Sequence, residues 1–406
     1  MAARVRPTRD VQMIHIDNIQ GTGRGIDLRK VVIKLGSAVV AGEGHQLDLV
    51  TLGALADSVA NLRRQGVDVI LVSSGAIGMG RRAFPDFTAR TIPDRQALAA
   101  IGQVGLMHAY KTLFNARDLR AAQILLTRDD MEDRRRYLNA RYTLERLLEL
   151  GAVPVINEND TVTIDELQFG DNDELSAVVA IKMGADMLII LSIVDGLHEA
   201  EADPTDAGAR GRKRKGRHAA GRRIDVVESV DDVLGLADRT RSAMGTGGMQ
   251  SKLKALHMAS QAGVHAVIAP GKRAGIVEEI VSGRFPGTYF VPRVGHRLRG
   301  KPRWLAFGRR ATGRCIVIDA GAVEALRVGK KSLLAAGVRA VRGQFERGDL
   351  VEVHDEAGAR VAKGLTNYSA EELDRIKGKR TPQIREILGE LDYPEVIHRD
   401  NLAVVD

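Results

Sequence analysis

The chain has 406 residues with a formal net charge of +8, and 44% of its residues are hydrophobic. This length and composition predict a soluble globular protein with two or three domains. The single cysteine, Cys315, excludes an intrachain disulfide and fits a reducing cytoplasm, while no apolar run reaches membrane-spanning length and the N-terminus lacks the apolar part of a secretory signal.

The first part of the chain alternates short apolar runs with amphipathic stretches. Residues 1–29 show no such rhythm and are predicted to form a flexible extension. The predicted strands are 31–33, 69–72, 124–126, 153–156, 187–191 and 266–268, and the predicted helices are about 48–66, 130–150 and a segment ending at Ala262. Alternating strands and helices favour a mainly parallel sheet between two helix layers, which we assign to residues 30–291.

Two segments break this rhythm. Between Arg210 and Arg223 there are eight Lys or Arg residues and no acid, so the insert at about 199–223 is predicted to be a solvated surface loop. A contact with nucleic acid is the alternative reading of this charge. After Val291, short strands separated by turns predict a small β-rich domain at 304–403, a barrel or half-barrel by its strand spacing.

Polar side chains gather where the predicted strands end. Asn-Glu-Asn-Asp at 157–160 and Gly-Asp-Asn-Asp at 170–173 follow apolar stretches, and such groups resist burial unless they are paired. Lys34 and Ser74 stand at two further strand ends, Lys34 two residues before Gly36 and Ser74 directly before Gly75. Because the ends of parallel strands share one edge of a sheet, these residues predict a polar pocket for a small molecule with amine and carboxylate groups.

A glycine-rich segment, Gly-Thr-Gly-Gly-Met-Gln-Ser-Lys at 245–252, opens a predicted helix. Glycines allow the backbone to approach phosphate oxygens, and the helix N-terminus supplies amide donors. Lys252 stands about one turn into the helix and can reach a nucleotide phosphate, although the spacing is not that of a Walker motif. A flexible turn explains this segment equally well. The histidines are scattered singly, so the sequence predicts no protein metal site.

Together these motifs resemble the glutamate 5-kinase family, whose members have the amino-acid-kinase fold. The resemblance covers Lys30 to the C-terminus, and the tail is similar to the PUA domain that many bacterial members carry. The matching segments are 32–36, 72–77, 125–134, 155–160, 170–173, 245–249 and, in the tail, Ile-His-Arg-Asp at 397–400.

The resemblance implies ATP- and Mg²⁺-dependent phosphorylation of the L-glutamate γ-carboxylate to glutamyl 5-phosphate, the first step of proline biosynthesis. Ser74, Asp160 and Asn172 would bind glutamate. Lys34 and Lys252 would meet the phosphates, with Asp173 orienting both. The residues implied in nucleotide binding are Lys34, Ser192, Ile193, Thr246, Gly247, Gly248, Met249, Gln250, Ser251 and Lys252.

One segment departs from the family pattern. The family has Thr or Ser and then Asp after the strand ending at Leu191, and later Gly-Leu-Tyr, whereas this chain reads Ser-Ile-Val-Asp-Gly-Leu-His at 192–198. Ile193 and His198 therefore put the nucleotide preference in doubt. The phosphate and glutamate positions are intact, so loss of activity does not follow.

The resemblance also implies a cytoplasmic homo-oligomer that is feedback-inhibited by proline and passes its product to glutamyl-phosphate reductase. Another enzyme of the same fold, such as an acetylglutamate, aspartate or uridylate kinase, is the first alternative. A non-catalytic RNA-binding protein is the second, suggested by the PUA-like tail and the basic loop. We do not expect a nucleic-acid partner, because the tail lacks clustered aromatic residues on which bases could stack.

Overall fold

The structure is a computed structural model that describes residues 13–42, 46–163, 172–199, 222–230, 233, 248–293, 313–329, 331–389 and 393–404. The chain divides into two compact units, with the boundary after Arg297. No helix in the described ranges is long and apolar enough to cross a membrane.

The first unit alternates strands and helices along the chain. Its strands are β1 Ile14–Ile16, β2 Ile26–Leu28, β3 Lys30–Leu35, β4 Asp68–Ser73, β5 Arg120–Leu126, β6 Ala152–Glu158, β7 Met187–Ser192, β8 Leu197–His198, β9 Arg223–Ile224, β10 Val226–Val227, β11 His265–Pro270 and β12 Thr288–Phe290. Its helices are α1 Ser37–Val40, α2 Leu49–Arg64, α3 Ala76–Ala83, α4 Ile92–Asn115, α5 Arg128–Glu132, α6 Arg134–Glu149, α7 Asn172–Lys182, α8 Met249–Gln261 and α9 Ile276–Val281.

Eight of these strands form one sheet in the order β10–β12–β11–β7–β3–β4–β6–β5. All neighbours are parallel except β11 and β12, so the prediction of a mainly parallel sheet is confirmed. The central strand β3 is buried over 31–35, as expected for a parallel strand covered on both faces. Lys34 is the one charged residue in that buried run, which marks its position as unusual.

The N-terminal segment differs from its prediction. Residues 14–28 form an antiparallel hairpin of β1 and β2, and its Ile16, Ile19, Ile26 and Leu28 belong to the core of the first unit. The flexible extension predicted for 1–29 is therefore wrong for residues 13–29, while residues 1–12 lie outside the described ranges. Two three-residue strands are too short for their alternation to stand out in the sequence, so the pattern was missed.

Helix ends follow capping rules where the sequence provides a cap. The Asp48 carboxylate accepts a hydrogen bond from the Thr51 backbone N–H at the start of α2, as the sequence predicted. Gly66, with a φ of 84°, follows the end of that helix. The predicted helix at 130–150 is instead two helices, because Asp133 adopts an extended conformation and caps α6.

The second unit is the small β-rich domain that the sequence predicted, with a five-stranded sheet and three short helices in its described residues. Its elements are β13 Cys315–Ile318, α10 Ala320–Arg327, β14 Val338–Arg342, β15 Leu350–Asp355, β16 Arg360–Leu365, α11 Ala370–Ile376, α12 Thr381–Leu388 and β17 Leu402–Val404. The five strands form a sheet in the order β14–β13–β15–β16–β17 around a separate apolar core. The short strands that the sequence predicted for this domain are present, whereas its three helices were not predicted.

Candidate active site

The carboxyl ends of four parallel strands bring the predicted site residues to one edge of the large sheet. Lys34 lies near the end of β3, Ser74 directly after β4, Asp160 two residues after β6, and Ser192 at the end of β7. Parallel pairing of β3 with β4 and β7, and of β4 with β6, fixes these ends side by side. Ligand sites of open α/β sheets lie at this edge.

A buried carboxylate joins two lysines from different elements. Lys34 Nζ lies 2.5 Å from Oδ1 of Asp173, and Lys252 Nζ lies 3.1 Å from Oδ2 of the same side chain. Asp173 is 0% exposed, Lys34 1% and Lys252 7%. Strand β3, the first turn of α7 and the first turn of α8 therefore meet at one ion cluster.

The electrostatics of this cluster favour an anionic ligand. Burial acts to raise the pKa of Asp173, but the adjacent ammonium groups of Lys34 and Lys252 outweigh it and hold that pKa below its usual value. Two ammonium groups around one ionised carboxylate leave an excess of positive charge in a poorly solvated place. Such a place suits the phosphates of a nucleotide.

The glutamate positions predicted from sequence are linked by hydrogen bonds. The Nδ2 group of Asn172 donates to Ser74 Oγ and to Asn157 Oδ1, both at 2.9 Å. Asn157 Nδ2 donates in turn to Gln103 Oε1, also at 2.9 Å. Within the described ranges, the buried Asn172 Oδ1 and Gln103 Nε2 have no hydrogen-bond partner. Buried polar atoms are rarely left unsatisfied, so this acceptor and this donor point to a polar ligand.

Asp160 stands two residues after the end of β6 and is half-buried. Burial alone raises the pKa of Asp160 to about 6. A half-buried carboxylate with a raised pKa is suited to bind a cationic group on a ligand. The ammonium group of an amino acid meets that requirement.

From the sequence, Asp160 and Asn172 together are expected to hold the ammonium and carboxylate groups of the substrate. The two hydrogen bonds from Asn172 Nδ2 leave its oxygen without a partner within the described ranges, and an oxygen suits an ammonium group. The carboxylate is better served at α3, where Gly75 is the N-cap with a φ of 114° and the first-turn amides follow. The amide of Gly36, expected to assist at the phosphate, donates instead to the carbonyl oxygen of Leu191 at 3.2 Å.

The predicted nucleotide residues are only partly within the described ranges. Gly248 is the N-cap of α8 and Met249 its first residue, with Gln250 exposed to solvent. The Ser251 hydroxyl lies 3.1 Å from Asp173 Oδ2 and 2.9 Å from the Gly248 carbonyl oxygen. Thr246 and Gly247 lie outside the described ranges, as do Gly170, Asp171 and most of the basic insert.

The departure from the family pattern is visible at the end of β7. Ser192 is buried, and its carbonyl oxygen accepts the Gly271 backbone N–H at 2.7 Å. Ile193 follows with 49% of its surface exposed, an unusual degree for a large apolar residue at this edge. The His198 ring nitrogen Nε2 lies 2.8 Å from Asp195 Oδ1.

Sequence reasoning missed two residues of the hydrogen-bond network. Asn157 was noted only as part of the Asn-Glu-Asn-Asp cluster, and its role becomes clear from its bonds to Asn172 and Gln103. Gln103 stands in the middle of α4, which was not predicted as a helix. A single glutamine within an apolar segment gives no signal of its own, so only the tertiary contact reveals it.

Comparison with known proteins adds family information to this geometry. The model of the amino acid kinase family matches residues 29–270, and the model of the PUA domain matches residues 314–388. A solved structure of N-acetylglutamate synthase from Neisseria gonorrhoeae is similar over 65% of this chain and 60% of that chain, with a TM-score of 0.46 and 15% sequence identity. That likeness is too weak to carry an argument.

Curated relatives match almost the whole chain. Glutamate 5-kinase from Thermus thermophilus is 45% identical, covering 94% of this chain and 98% of that protein. Glutamate 5-kinase from Methylococcus capsulatus is 44% identical, covering 93% and 97%. Glutamate 5-kinase from Stutzerimonas stutzeri is 43% identical, covering 93% and 98%.

Proposed function

The chain belongs to the amino acid kinase family, and from this premise we propose that it transfers the γ-phosphoryl group of ATP to the γ-carboxylate of L-glutamate. The product is glutamyl 5-phosphate, and the reaction is the first step of proline biosynthesis. The protein is a kinase, and its relatives across almost the full length carry the name of this one activity. The other kinases of the same fold, and a non-catalytic RNA-binding protein, are not favoured.

One observation carries the proposal for the site. The ion cluster of Lys34, Asp173 and Lys252 lies next to a buried amide network in which Asn172 Oδ1 has no hydrogen-bond partner within the described ranges. Asn172 and Asp173 are consecutive residues, so the first turn of α7 joins the phosphate end of the site to the amino-acid end. Such an arrangement holds two anionic substrates against each other, which is the main requirement of phosphoryl transfer.

The chemistry needs no general base. The γ-carboxylate of glutamate has a pKa near 4.3 and is ionised at neutral pH, so it can attack the γ-phosphorus directly. The ammonium groups of Lys34 and Lys252 meet the charge that builds on the transferred phosphoryl group and on the leaving oxygen. Asp173 keeps both lysines in place, since its two oxygens contact one lysine each.

Mg²⁺ would neutralise phosphate charge as part of the MgATP substrate. The part of the chain that the structure describes contains no group of three His, Cys, Asp or Glu side chains that could hold a metal ion. We assign the metal to the ATP phosphates because Mg²⁺ keeps several waters and usually binds through substrate phosphates. Gly248, Ser251 and Lys252 at the start of α8 would receive those phosphates, together with Thr246, Gly247, Met249 and Gln250, while Ser192 and Ile193 would border the base.

Glutamate would be held by the two charged groups on its α-carbon. Asp160 and Asn172 Oδ1 would accept hydrogen bonds from the α-ammonium group, and Ser74 with the amides at the start of α3 would bind the α-carboxylate. This places the side-chain carboxylate toward the lysines. Cytoplasmic localisation, homo-oligomer formation, inhibition by proline and transfer of the product to glutamyl-phosphate reductase belong to the same proposal.

The decisive experiment traps the acyl phosphate. Hydroxylamine converts it to the γ-hydroxamate, so we expect hydroxamate formation with ATP, Mg²⁺ and glutamate, and little with aspartate or acetylglutamate. ATP consumption with UMP tests the remaining alternative. Robust turnover of another acceptor without any hydroxamate from glutamate would disprove the proposed function.

A further inference from the structure

Two buried side chains that the proposed reaction does not use, Gln103 and Asn157, are connected to Asn172. We propose that Gln103 is a positioning residue that fixes which end of the Asn172 amide faces the substrate, and thereby sets selectivity for the α-ammonium group. This inference rests on the proposed function, since it concerns how the same site recognises glutamate. It involves no contact between Gln103 and the reacting atoms.

A backbone N–H group fixes which atoms of the amide network donate and which accept. The Glu158 N–H donates to Asn157 Oδ1 at 2.9 Å. A backbone N–H can only donate, so the oxygen of Asn157 must lie on this side. Its Nδ2 group is consequently turned toward Gln103, where Oε1 accepts at 2.9 Å.

The orientation of the Asn157 amide in turn fixes the orientation of the Asn172 amide. Its Oδ1 accepts a second hydrogen bond, from Asn172 Nδ2 at 2.9 Å, and Ser74 Oγ accepts from the same Nδ2 at the same distance. Asn172 Oδ1 is thereby turned away from its neighbours, buried and without a partner within the described ranges. An available oxygen in this position attracts a donor such as an ammonium group.

Gln103 holds the network at its other end. It is 8% exposed and stands near the middle of the 24-residue helix α4, so its oxygen has a fixed position. Without that oxygen, Asn157 Nδ2 would lose its acceptor in a buried place, and only the Glu158 N–H and Asn172 Nδ2 would still hold the Asn157 amide. The Asn157 oxygen would then keep Asn172 Nδ2 in one orientation less firmly, and the Asn172 oxygen would face the substrate ammonium group in a smaller fraction of the molecules.

The test compares two ligands that differ in the ammonium group. Glutarate has the chain length and both carboxylates of glutamate but no ammonium, and it serves as a competitive inhibitor. The measured quantity is the ratio of the glutarate Ki to the glutamate KM at saturating MgATP. Gln103→Met removes the accepting oxygen at similar volume. Gln261→Met is the matched control, because it removes a glutamine that accepts from Arg293 Nη1 at 2.9 Å outside the site.

We expect Gln103→Met to lower the ratio about tenfold, the effect of losing one oriented hydrogen bond to a charged group. The KM for ATP and the Ki of glutarate should stay within about threefold of wild type, as should every constant of Gln261→Met. An unchanged ratio, or an equal loss of glutamate and glutarate binding, would overturn the inference.

A second variant covers the case in which Gln103→Met does not fold. Gln103→Glu keeps an oxygen for Asn157 Nδ2, so the ratio should not fall by more than about threefold from wild type. The new charge repels the two carboxylates of both ligands, and its attraction for the ammonium group of glutamate can only raise the ratio. A tenfold fall with Gln103→Glu would contradict the inference. Hydroxamate formation by the wild type is measured first, and its absence would reject the proposed function itself.

Discussion

At the scale of single residues, Lys34 and Lys252 approach Asp173 from opposite parts of the chain. Their separation in sequence hides the cluster, whereas the structure places both ammonium groups within 3.1 Å of one carboxylate. An isolated buried ammonium group would lose its proton or destabilise the fold. The lowered pKa of Asp173 shows that its charge compensates both lysines.

Lysines 252 and 254 allow a matched test on one helix. Lys252→Met should lower kcat by about 10²–10³-fold with little change in the KM for glutamate, because its ammonium group meets charge that develops in the transition state. Lys254 is 61% exposed in its side chain and contacts Glu174, so Lys254→Met should change kcat by less than about twofold. Steady-state kinetics of both variants check this. Equal effects would mean that the phosphate role belongs to α8 as a whole.

Asp160 predicts a pH dependence of substrate binding. Its pKa of about 6 means that the carboxylate is ionised above pH 7 and becomes protonated as the pH falls through 6. The protonated form no longer attracts the α-ammonium group, so the KM for glutamate should rise toward low pH, by up to about tenfold per unit below 6.

Asp160→Asn is the control for this assignment. It should raise the KM at neutral pH and remove the dependence near pH 6, because no group is left there to titrate. The γ-carboxylate of glutamate itself titrates near 4.3, below this window. A variant with the same pH profile as wild type would show that another group is responsible.

At the scale of elements, the crossing of α3 and α4 positions both ends of the glutamate site. The first turn of α3 follows Ser74, and α4 carries Gln103. A Cβ atom on Gly102 would lie 1.8 Å from the Ala76 carbonyl oxygen and 2.4 Å from the Gly80 nitrogen. The two helices can therefore approach this closely only while glycine occupies position 102.

This contact gives a prediction that compares two glycines. Gly102→Ala should lower the free energy of unfolding by about 1–3 kcal/mol or more and raise the KM for glutamate, because backbone must move near Ser74. Gly78 lies in α3, and a Cβ atom added there would meet nothing within 4 Å, so Gly78→Ala should raise the free energy of unfolding by up to about 1 kcal/mol. Urea unfolding and glutamate kinetics measure both. If Gly102→Ala left the free energy of unfolding and the KM for glutamate unchanged, the two helices could move apart without a free-energy cost.

The strands and helices that could be predicted are those that a local sequence pattern identifies on its own. The apolar runs of β3, β4, β6 and β7 and the polar residues after them located the site edge, because a buried parallel strand is recognisable from composition alone. The hairpin at 14–28 and helix α4 were missed for a physical reason. Their apolar residues are buried by segments distant in the chain, since Ile16 of the hairpin and Leu106 of α4 join one core with residues such as Ile280.

At the scale of the whole molecule, the described site residues all belong to the first unit. Asp173 and Lys252 are separated by the basic insert, yet they meet within 3.1 Å. Strands β8 and β9 pair across the ends of that insert, from His198 to Arg223, so its length does not disturb the sheet. The second unit has its own apolar core, which gives it the means to fold independently.

This division predicts that the first unit is active alone. Truncation after Arg297 should leave a folded kinase with kcat within about threefold of the full chain, since every described site residue precedes that point. A cut at Val291 is less suitable, because the Val291 carbonyl oxygen accepts from Ser260 Oγ and the Arg293 N–H donates to the Ser260 carbonyl oxygen. Hydroxamate kinetics and size-exclusion chromatography of both truncations provide the measurement. A monodisperse protein ending at Arg297 that is inactive at saturating substrates would show that the second unit contributes to catalysis.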